Sequence, residues 1–200
     1  MCMGFFIMAF GVAFSIKAAL GTSPISSFPY VTSVISGISV GGTTILMNLA
    51  FVLIQIAILR NQYDWFQLLQ IPAAILFGMM IDLACRVIQP LSVSGYAMQW
   101  LVCVLGIFLV AFGVSMEVTA GLVTTAGEGI VLALCKVLPI KFGNMKILFD
   151  VSLVCISIVL SLLFLGRLDG VREGTVAAAV LVGQVTKKAS LLTNKLKPFC

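Results

Sequence analysis

Long apolar runs separated by short polar turns make up most of the chain. Several of these runs approach or exceed the roughly 20 residues that a helix needs to cross the hydrocarbon core of a bilayer. The pattern therefore predicts membrane-spanning helices. The predicted spans are residues 3–20, 43–59, 66–88, 98–118 and 145–165, with a sixth apolar run at 175–185.

Two shorter segments interrupt this pattern, one in each half of the chain. In the first half, Thr22 and Ser23 precede Pro24, which is typical of a helix start because a hydroxyl can cap the helix and proline needs no N–H there. From Pro24 to Gly37 the helix would span about 20 Å, which is shorter than a hydrocarbon core of about 30 Å. We therefore expect 24–36 and 126–138 to form half-length helices inside the protein.

The chain also aligns with itself at an offset of 102 residues. Residues 4–12 and 106–114 share six of nine amino acids, two of them glycines, without a gap. Such an internal repeat decides how the rest of the pattern is interpreted. The sequence predicts a first membrane repeat at 1–90, a connecting loop at 91–97, a second repeat at 98–188 and a basic C-terminal tail at 189–200.

The repeat leaves two topologies open. If the short segments re-enter, each half has three crossings and the repeats are inverted; if they cross fully, there are eight spans and the repeats are parallel. Residues 136–146 carry three lysines and residues 187–200 carry four, so both regions are expected to be cytoplasmic. Both topologies place eight basic residues inside and four outside, because Arg60 and Arg86 exchange sides. Length favours an all-α polytopic membrane protein with about six full spans and two half-helices.

Composition supports the membrane class. The chain is 61% hydrophobic and 10% charged, with a mean hydropathy of +1.20, whereas soluble domains carry about 25% charged residues. The first apolar run starts almost at Met1 without a basic region or a cleavage site, so it is predicted to be a retained span. The net charge of +5 comes from basic residues at segment ends, so no nucleic-acid partner is expected.

The residue types argue against metal and catalytic sites. The chain has no histidine, and its six cysteines are scattered without a C-x-x-C pair, as expected for small packing residues. Neither a P-loop nor a nucleophile–base pair is recognisable. We therefore expect no cofactor, no metal and no enzymatic activity.

Three motifs carry a resemblance to the YczE/YyaS/YitT family of bacterial membrane proteins. They are the GTSP turn (Gly21, Thr22, Ser23, Pro24), the GEG turn (Gly127, Glu128, Gly129) and the GVREG segment (Gly170, Arg172, Glu173, Gly174). The resemblance extends over nearly the whole chain. It implies a multi-pass protein of the bacterial inner (plasma) membrane with a cytoplasmic C-terminus, and it assigns no substrate.

Short helices at matching positions of two repeats are the best sequence pointer to a transporter's binding site. A helix N-terminus offers free N–H groups and a partial positive charge, which suit a carboxylate, phosphate or sulfonate. We therefore predict a secondary transporter of a small organic solute bound at the repeat interface, and the helix ends favour an anionic one. The alternative is that these small residues simply allow close helix packing. The candidate substrate contacts are Thr22, Ser23, Ser26, Asn48, Thr124 and Thr125.

The second repeat is acidic where the first is neutral. Glu128 occupies the position of Ser26, and Asp150 that of Asn48. An aspartate at the centre of a spanning helix costs roughly 2.5–3.5 kcal/mol on insertion scales, so such groups mark ion or substrate paths by default. We predict that Glu128 and Asp150 act as a proton or cation relay. The alternatives are a helix-capping role for Glu128 and an ion pair between Asp150 and Lys146.

Other charged residues are expected to have structural roles. Asp82 and Arg86 are spaced i, i+4, so they can pair if this segment is helical. The remaining functional alternative is a non-transporting membrane partner protein, which the shortage of soluble loops disfavours. The expected partners are the lipid bilayer and a small solute, and the sequence leaves homo-oligomer formation open.

Overall fold

Helices make up most of the residues that the structure describes, which confirms the predicted all-α class. The computed structural model describes residues 2–120, 125–140, 142–179 and 181, and this part of the chain contains no strand. Residues 173–179 are also helical. Two short 3₁₀ segments, Arg60–Gln62 and Trp65–Leu69, precede α4, and a π-helical turn, Ser161–Leu165, follows α7. The main helices are α1 (Cys2–Ala18), α2 (Pro24–Ser36), α3 (Val40–Leu59), α4 (Gln70–Ile88), α5 (Tyr96–Ala120), α6 (Ala126–Val137) and α7 (Phe142–Leu160).

Four helical stretches in the described residues are long and apolar enough to cross a membrane. They are Val40–Leu59, Trp65–Ile88, Tyr96–Glu117 and Asn144–Leu165, and Cys2–Ala18 is a shorter apolar helix. Large apolar side chains cover the outside of these helices: Leu53 is 67% exposed and Leu163 is 74% exposed. Exposed apolar surface on this scale requires a lipid environment. The protein is therefore an integral membrane-type helical protein.

The two predicted short helices are present. Helix α2 has 13 residues and α6 has 12. Proline stands at the start of α2, as predicted, and Gly37 ends the helix in the left-handed conformation with φ of 73°. The predicted hydroxyl cap is wrong, because the Ser23 side chain makes no capping bond to the backbone and instead donates to Ser26 Oγ at 3.0 Å.

Helices α1 and α5 cross with their backbones in contact. A Cβ on Gly11 would lie 2.6 Å from Val110 N and 2.8 Å from Gly106 O, and one on Gly4 would lie 3.0 Å from Gly113 O. Glycine is required where backbones approach this closely in a membrane. Because the start of α1 meets the end of α5, the two helices run antiparallel.

The other helices surround this pair. Helix α4 packs against α1 and α3, while α2 packs against α7 and α6 packs against α3. One apolar core joins α1, α4 and α5 around Phe5 and Ile81. A second core joins α3, α6 and α7 around Phe51, Ile130 and Leu153. The short helices therefore lie mainly against long helices of the opposite half of the chain.

The two short helices end near opposite ends of α3. A three-residue connection joins the end of α2 to the start of α3. In α6, by contrast, Ala133 packs with Leu59 and Tyr63 at the end of α3. The C-terminal ends of α2 and α6 are therefore separated by the length of α3.

Asp82 does not form the ion pair with Arg86 that their spacing allows. Asp82 Oδ1 accepts a hydrogen bond from Gly41 N–H at 2.8 Å, and Oδ2 accepts one from Ser39 Oγ at 2.7 Å. The carboxylate thus caps the N-terminus of α3, where free N–H groups and the helix dipole favour a negative charge. Such a cap on a half-buried carboxylate competes successfully with an exposed i, i+4 pair, which contributes little.

Candidate functional site

The N-termini of the two short helices meet in the interior. The side chain of Ile25, in the first turn of α2, contacts Gly127 in the first turn of α6, and a Cβ on Gly127 would overlap Ile25 Cδ1. The glycine of the GEG turn is therefore what lets the helices approach. Both helix N-termini, each with a partial positive charge, lie close together.

Hydroxyl groups line the start of α2. Ser27 is fully buried, donates to Pro24 O at 2.7 Å and forms a hydrogen bond with Ser157 Oγ of α7 at 3.1 Å. Thr22 is also buried, and its N–H donates to Gly170 O at 3.1 Å. These hydrogen bonds hold the start of α2 against the second half of the chain. Ser26 is half-buried and accepts from Ser23.

Two buried amides face the start of α6. Gln55 of α3 is 0% exposed and Gln70 is 1% exposed. The Nε2 group of Gln55 donates to Ala126 O at 3.0 Å and to Gln70 Oε1 at 3.2 Å. Gln55 Oε1 and Gln70 Nε2 have no hydrogen-bond partner among the described residues. A Cβ on Gly129 would lie 2.7 Å from Gln55 Oε1, so the glycine makes room for the amide. Unsatisfied buried polar atoms are costly and call for an explanation.

A small space adjoins this amide pair. It has a volume of about 20 Å³, and its polar lining comes from Asn48, Gln70 and Thr125. Asn48 donates from Nδ2 to Thr44 O at 3.0 Å. The space is large enough for one water molecule. The structure thus brings two predicted site residues, Asn48 and Thr125, together with a glutamine that sequence analysis did not select.

Acidic residues gather beside the same helix start. Glu117, near the end of α5, is 4% exposed and accepts a hydrogen bond from the N–H of Thr125. Its Oε1 has no partner in the described part of the chain. Glu128, in the first turn of α6, lies close enough for its charge to act on that of Glu117. Sequence analysis missed Glu117, although its place in an apolar run was a usable signal.

Helix α7 completes this acidic group. Its Lys146 and Asp150 lie within electrostatic reach of Glu128. They form an ion pair with Nζ and Oδ1 2.8 Å apart, and both side chains are about a quarter exposed. The structure therefore contains the Lys146–Asp150 pair that the sequence offered as the alternative to a relay role.

A larger cleft opens beside the turn that precedes α2. Its volume is about 190 Å³, and it is lined by Ser15, Thr22, Tyr30, Asp169 and Arg172, among others. The Arg172 guanidinium donates to Ala19 O at 3.1 Å and lies 3.4 Å from Glu173 Oε2. A cationic group therefore stands at the rim of a cleft that reaches the start of α2.

Comparison with family models places residues 1–190 in DUF6198, a family of unknown function. The chain belongs to this family. No curated protein and no solved structure matches it. The family description assigns no activity and does not address the resemblance to the YczE/YyaS/YitT proteins, which stays a prediction.

The predicted site residues of this DUF6198 member fall into three neighbouring places. Thr22, Ser23 and Ser26 lie at the start of α2, Asn48 and Thr125 line the small space, and Glu128 and Asp150 lie in the acidic group. Thr124 lies outside the described residues. Within the described residues, no group of three or more His, Cys, Asp or Glu side chains could hold a metal ion.

Proposed function

We propose that the protein is a secondary transporter of a small organic anion, bound where the N-termini of α2 and α6 meet. The observation that carries this proposal is the contact between Ile25 and Gly127. Broken helices whose N-termini face one another inside a membrane protein form anion sites, because unpaired N–H groups and helix dipoles point at the ligand. Ile25 and Gly127 also occupy equivalent positions of the sequence repeat.

We infer further that the two halves form an inverted repeat. Gly4 contacts Gly113 and Gly11 contacts Gly106. At the repeat offset of 102 residues, Gly4 is equivalent to Gly106 and Gly11 is equivalent to Gly113. The Gly4–Gly113 contact and the Gly11–Gly106 contact are therefore equivalent to each other. This reciprocity is expected of a two-fold axis between α1 and α5. Because the helices run antiparallel, the axis lies in the membrane plane.

The contacts of the short helices support the same axis. Ser27 of α2 meets Ser157 of α7, and at the equivalent positions Gly129 of α6 meets Gln55 of α3. In this arrangement α2 and α6 re-enter from opposite faces and end near opposite ends of α3. Inverted repeats with a central site are the architecture of alternating access, in which one unit rocks against the other.

The charges assign a role to each side of the site. Arg172 lies at the rim of the cleft beside Thr22 and provides an approach for an anion. The acidic group on the other side, with Glu128 and Asp150, is suited to take up the coupling proton. The lysine-containing loop that follows α6 belongs to this second side, which we place in the cytoplasm by the positive-inside rule.

Uptake by proteoliposomes tests the proposal. The purified full chain is reconstituted, a pH gradient is imposed, and a panel of carboxylates, phosphate esters and sulfonates is added with a fluorescent pH indicator inside. We expect saturable, gradient-dependent uptake of at least one class. Ser26→Ala, at the start of α2, should raise the KM for uptake several-fold, whereas Ser94→Ala, in the exposed loop before α5, should leave uptake unchanged.

Two results would contradict the proposal. Flux equal to that of empty liposomes for every class would argue against transport, and stable co-purification with a single protein would then support the partner alternative. Equal uptake by the Ser26→Ala variant and wild type would place the substrate away from the start of α2.

A further inference from the structure

Two buried glutamines beside the start of α6 have one unpartnered atom each. Gln55 of α3 and Gln70 of α4 are 0% and 1% exposed, yet Gln55 Oε1 and Gln70 Nε2 have no hydrogen-bond partner among the described residues. A polar atom that is buried in this way loses its bonds to water and gains none in return. Two such atoms side by side point to a group that the protein itself does not supply.

The hydrogen bonds of the pair fix which unpartnered atom is the donor and which is the acceptor. The carbonyl of Ala126 can only accept, so the atom of Gln55 that bonds to it at 3.0 Å must be Nε2. This Nε2 also donates to Gln70 at 3.2 Å, so the atom of Gln70 on that side must be Oε1. The atoms that remain are therefore an acceptor on Gln55 and a donor on Gln70.

The two unpartnered atoms converge on one region beside α6. A Cβ on Gly129 would lie 2.7 Å from Gln55 Oε1 and 2.9 Å from Gln70 Nε2, so both atoms are close to a single point. One oxygen atom can bond to both when it lies about 2.8 Å from each. Gln70 also lines the adjoining space of about 20 Å³, which has room for one group of this size.

Only a group that both donates and accepts can satisfy this pair. A metal cation or an ammonium ion would meet the N–H of Gln70, and a carboxylate or phosphate oxygen would meet the lone pairs of Gln55. A hydroxyl group donates its O–H to Gln55 Oε1 and accepts from Gln70 Nε2. Primary amide and carboxylic acid groups also donate and accept, but they are larger than the single water-sized group for which the space has room.

The equivalent contact of the other short helix shows that packing does not require unpartnered atoms here. At the repeat offset of 102 residues, Gln55 corresponds to Ser157 and Gly129 corresponds to Ser27. The two serine hydroxyls bond to one another at 3.1 Å, and each also donates to a backbone carbonyl. The contact of α2 is therefore closed by small hydroxyl groups that have partners. The contact of α6 replaces them with a glycine and a longer amide, and it leaves a donor and an acceptor unpartnered.

We propose that Gln55 and Gln70 bind a hydroxyl group of the transported solute, so that the substrate is a hydroxylated organic anion. This inference rests on the proposed function and names the substrate class of that same site. Thr125, the N-cap residue of α6, lines the same space, and its side chain makes no capping bond to the helix. The hydroxyl site thus adjoins the helix start that receives the anionic group, and Gln70 is a specificity-determining residue.

Matched pairs of solutes that differ by one hydroxyl group test the proposal. Proteoliposomes that contain the full chain receive lactate or propionate, isethionate or ethanesulfonate, and 2-hydroxyethyl phosphate or ethyl phosphate, under the same pH gradient. In at least one pair, we expect kcat/KM to be higher for the hydroxylated solute by about tenfold or more, because the other solute leaves both amide atoms unpartnered. Equal kcat/KM for both members of every transported pair would overturn the hydroxyl site and leave transport standing.

The Gln70→Met variant removes the unpartnered donor and keeps a side chain of similar length. It should lose the preference for the hydroxylated solute, while uptake of the solute without the hydroxyl stays equal or rises. Gln62→Met, in the exposed segment before α4, is the matched control and should keep the wild-type preference. An unchanged preference in Gln70→Met would overturn the role of Gln70. If Gln70→Met fails to give a monodisperse protein, the wild-type comparison of paired solutes still decides.

Thermal melting in detergent separates this proposal from transport. A solute that binds the folded protein raises its melting temperature, so the hydroxylated solute should raise it more than the matched solute does, and Gln70→Met should abolish the difference. This result without any flux would overturn transport while leaving the hydroxyl site standing. Equal melting shifts in every pair, with equal or no uptake, would leave a water molecule as the occupant of the amide pair and overturn the proposal.

Discussion

At the scale of single residues, two adjacent glycines show how backbone contact decides what a position tolerates. A Cβ on Gly41 would overlap Gly78 O and lie 2.6 Å from Asp82 Cγ. A Cβ on Gly42 would meet side-chain atoms of Ile38 and Ser39 alone, at 2.8 and 3.0 Å. Backbone atoms cannot move aside without separating α3 from α4, whereas side chains can rotate.

We therefore predict opposite effects for two neighbouring alanine substitutions. Gly41→Ala should destabilise the protein by about 1–3 kcal/mol through overpacking. Gly42→Ala should be neutral or stabilising by up to about 1 kcal/mol, because alanine favours the helix. Thermal melting in detergent, followed by helical circular dichroism, measures both. Equal melting temperatures for the two variants would contradict the close contact of α3 with α4.

At the scale of elements, the capping of α3 by Asp82 gives a second prediction. Asp82→Ala removes the acceptor for Gly41 N–H and for Ser39 Oγ, so it should lower stability by about 0.5–2 kcal/mol, as loss of a helix cap does. Arg86→Ala is the control and should change stability little, because Arg86 does not pair with Asp82. Similar losses for the two variants would instead support the ion pair suggested by their spacing.

At the scale of the whole molecule, the inverted topology predicts which loops share a side of the membrane. The α3–α4 connection should lie on the same side as the α6–α7 connection, and the α4–α5 connection on the opposite side. In the parallel, eight-span alternative the first two connections would lie on opposite sides. The sidedness of one loop relative to another therefore decides between the topologies.

Labelling of single introduced cysteines measures this sidedness. Gln62→Cys and Ile140→Cys should react with an impermeant maleimide from the same side of oriented membranes, and Ser94→Cys from the other. The wild-type chain is the control for background reaction of its own cysteines. Reaction of Gln62→Cys and Ile140→Cys from opposite sides would exclude the inverted repeat.

The sequence by itself determined the elements of this protein. Runs of about 20 apolar residues predicted the long helices, because a helix satisfies its backbone hydrogen bonds within the segment and can therefore cross lipid. Pro24 and Gly37 marked the start and end of α2, since proline needs no N–H at a helix start and glycine tolerates the left-handed end. Local rules of this kind act within a few residues, so they can be applied without knowledge of the fold.

The tertiary structure alone decided which polar groups meet. Asp82 caps another helix in place of pairing with Arg86, and Glu117 and Gln70 lie beside the start of α6, which their own segments did not reveal. The antiparallel crossing of α1 and α5 could not be predicted from the charges either. The inverted and the parallel topology place the same numbers of basic residues on each side of the membrane. These features depend on contacts between distant segments. A buried polar group has no bulk water to bond to, so its partner is whichever group the neighbouring helix provides.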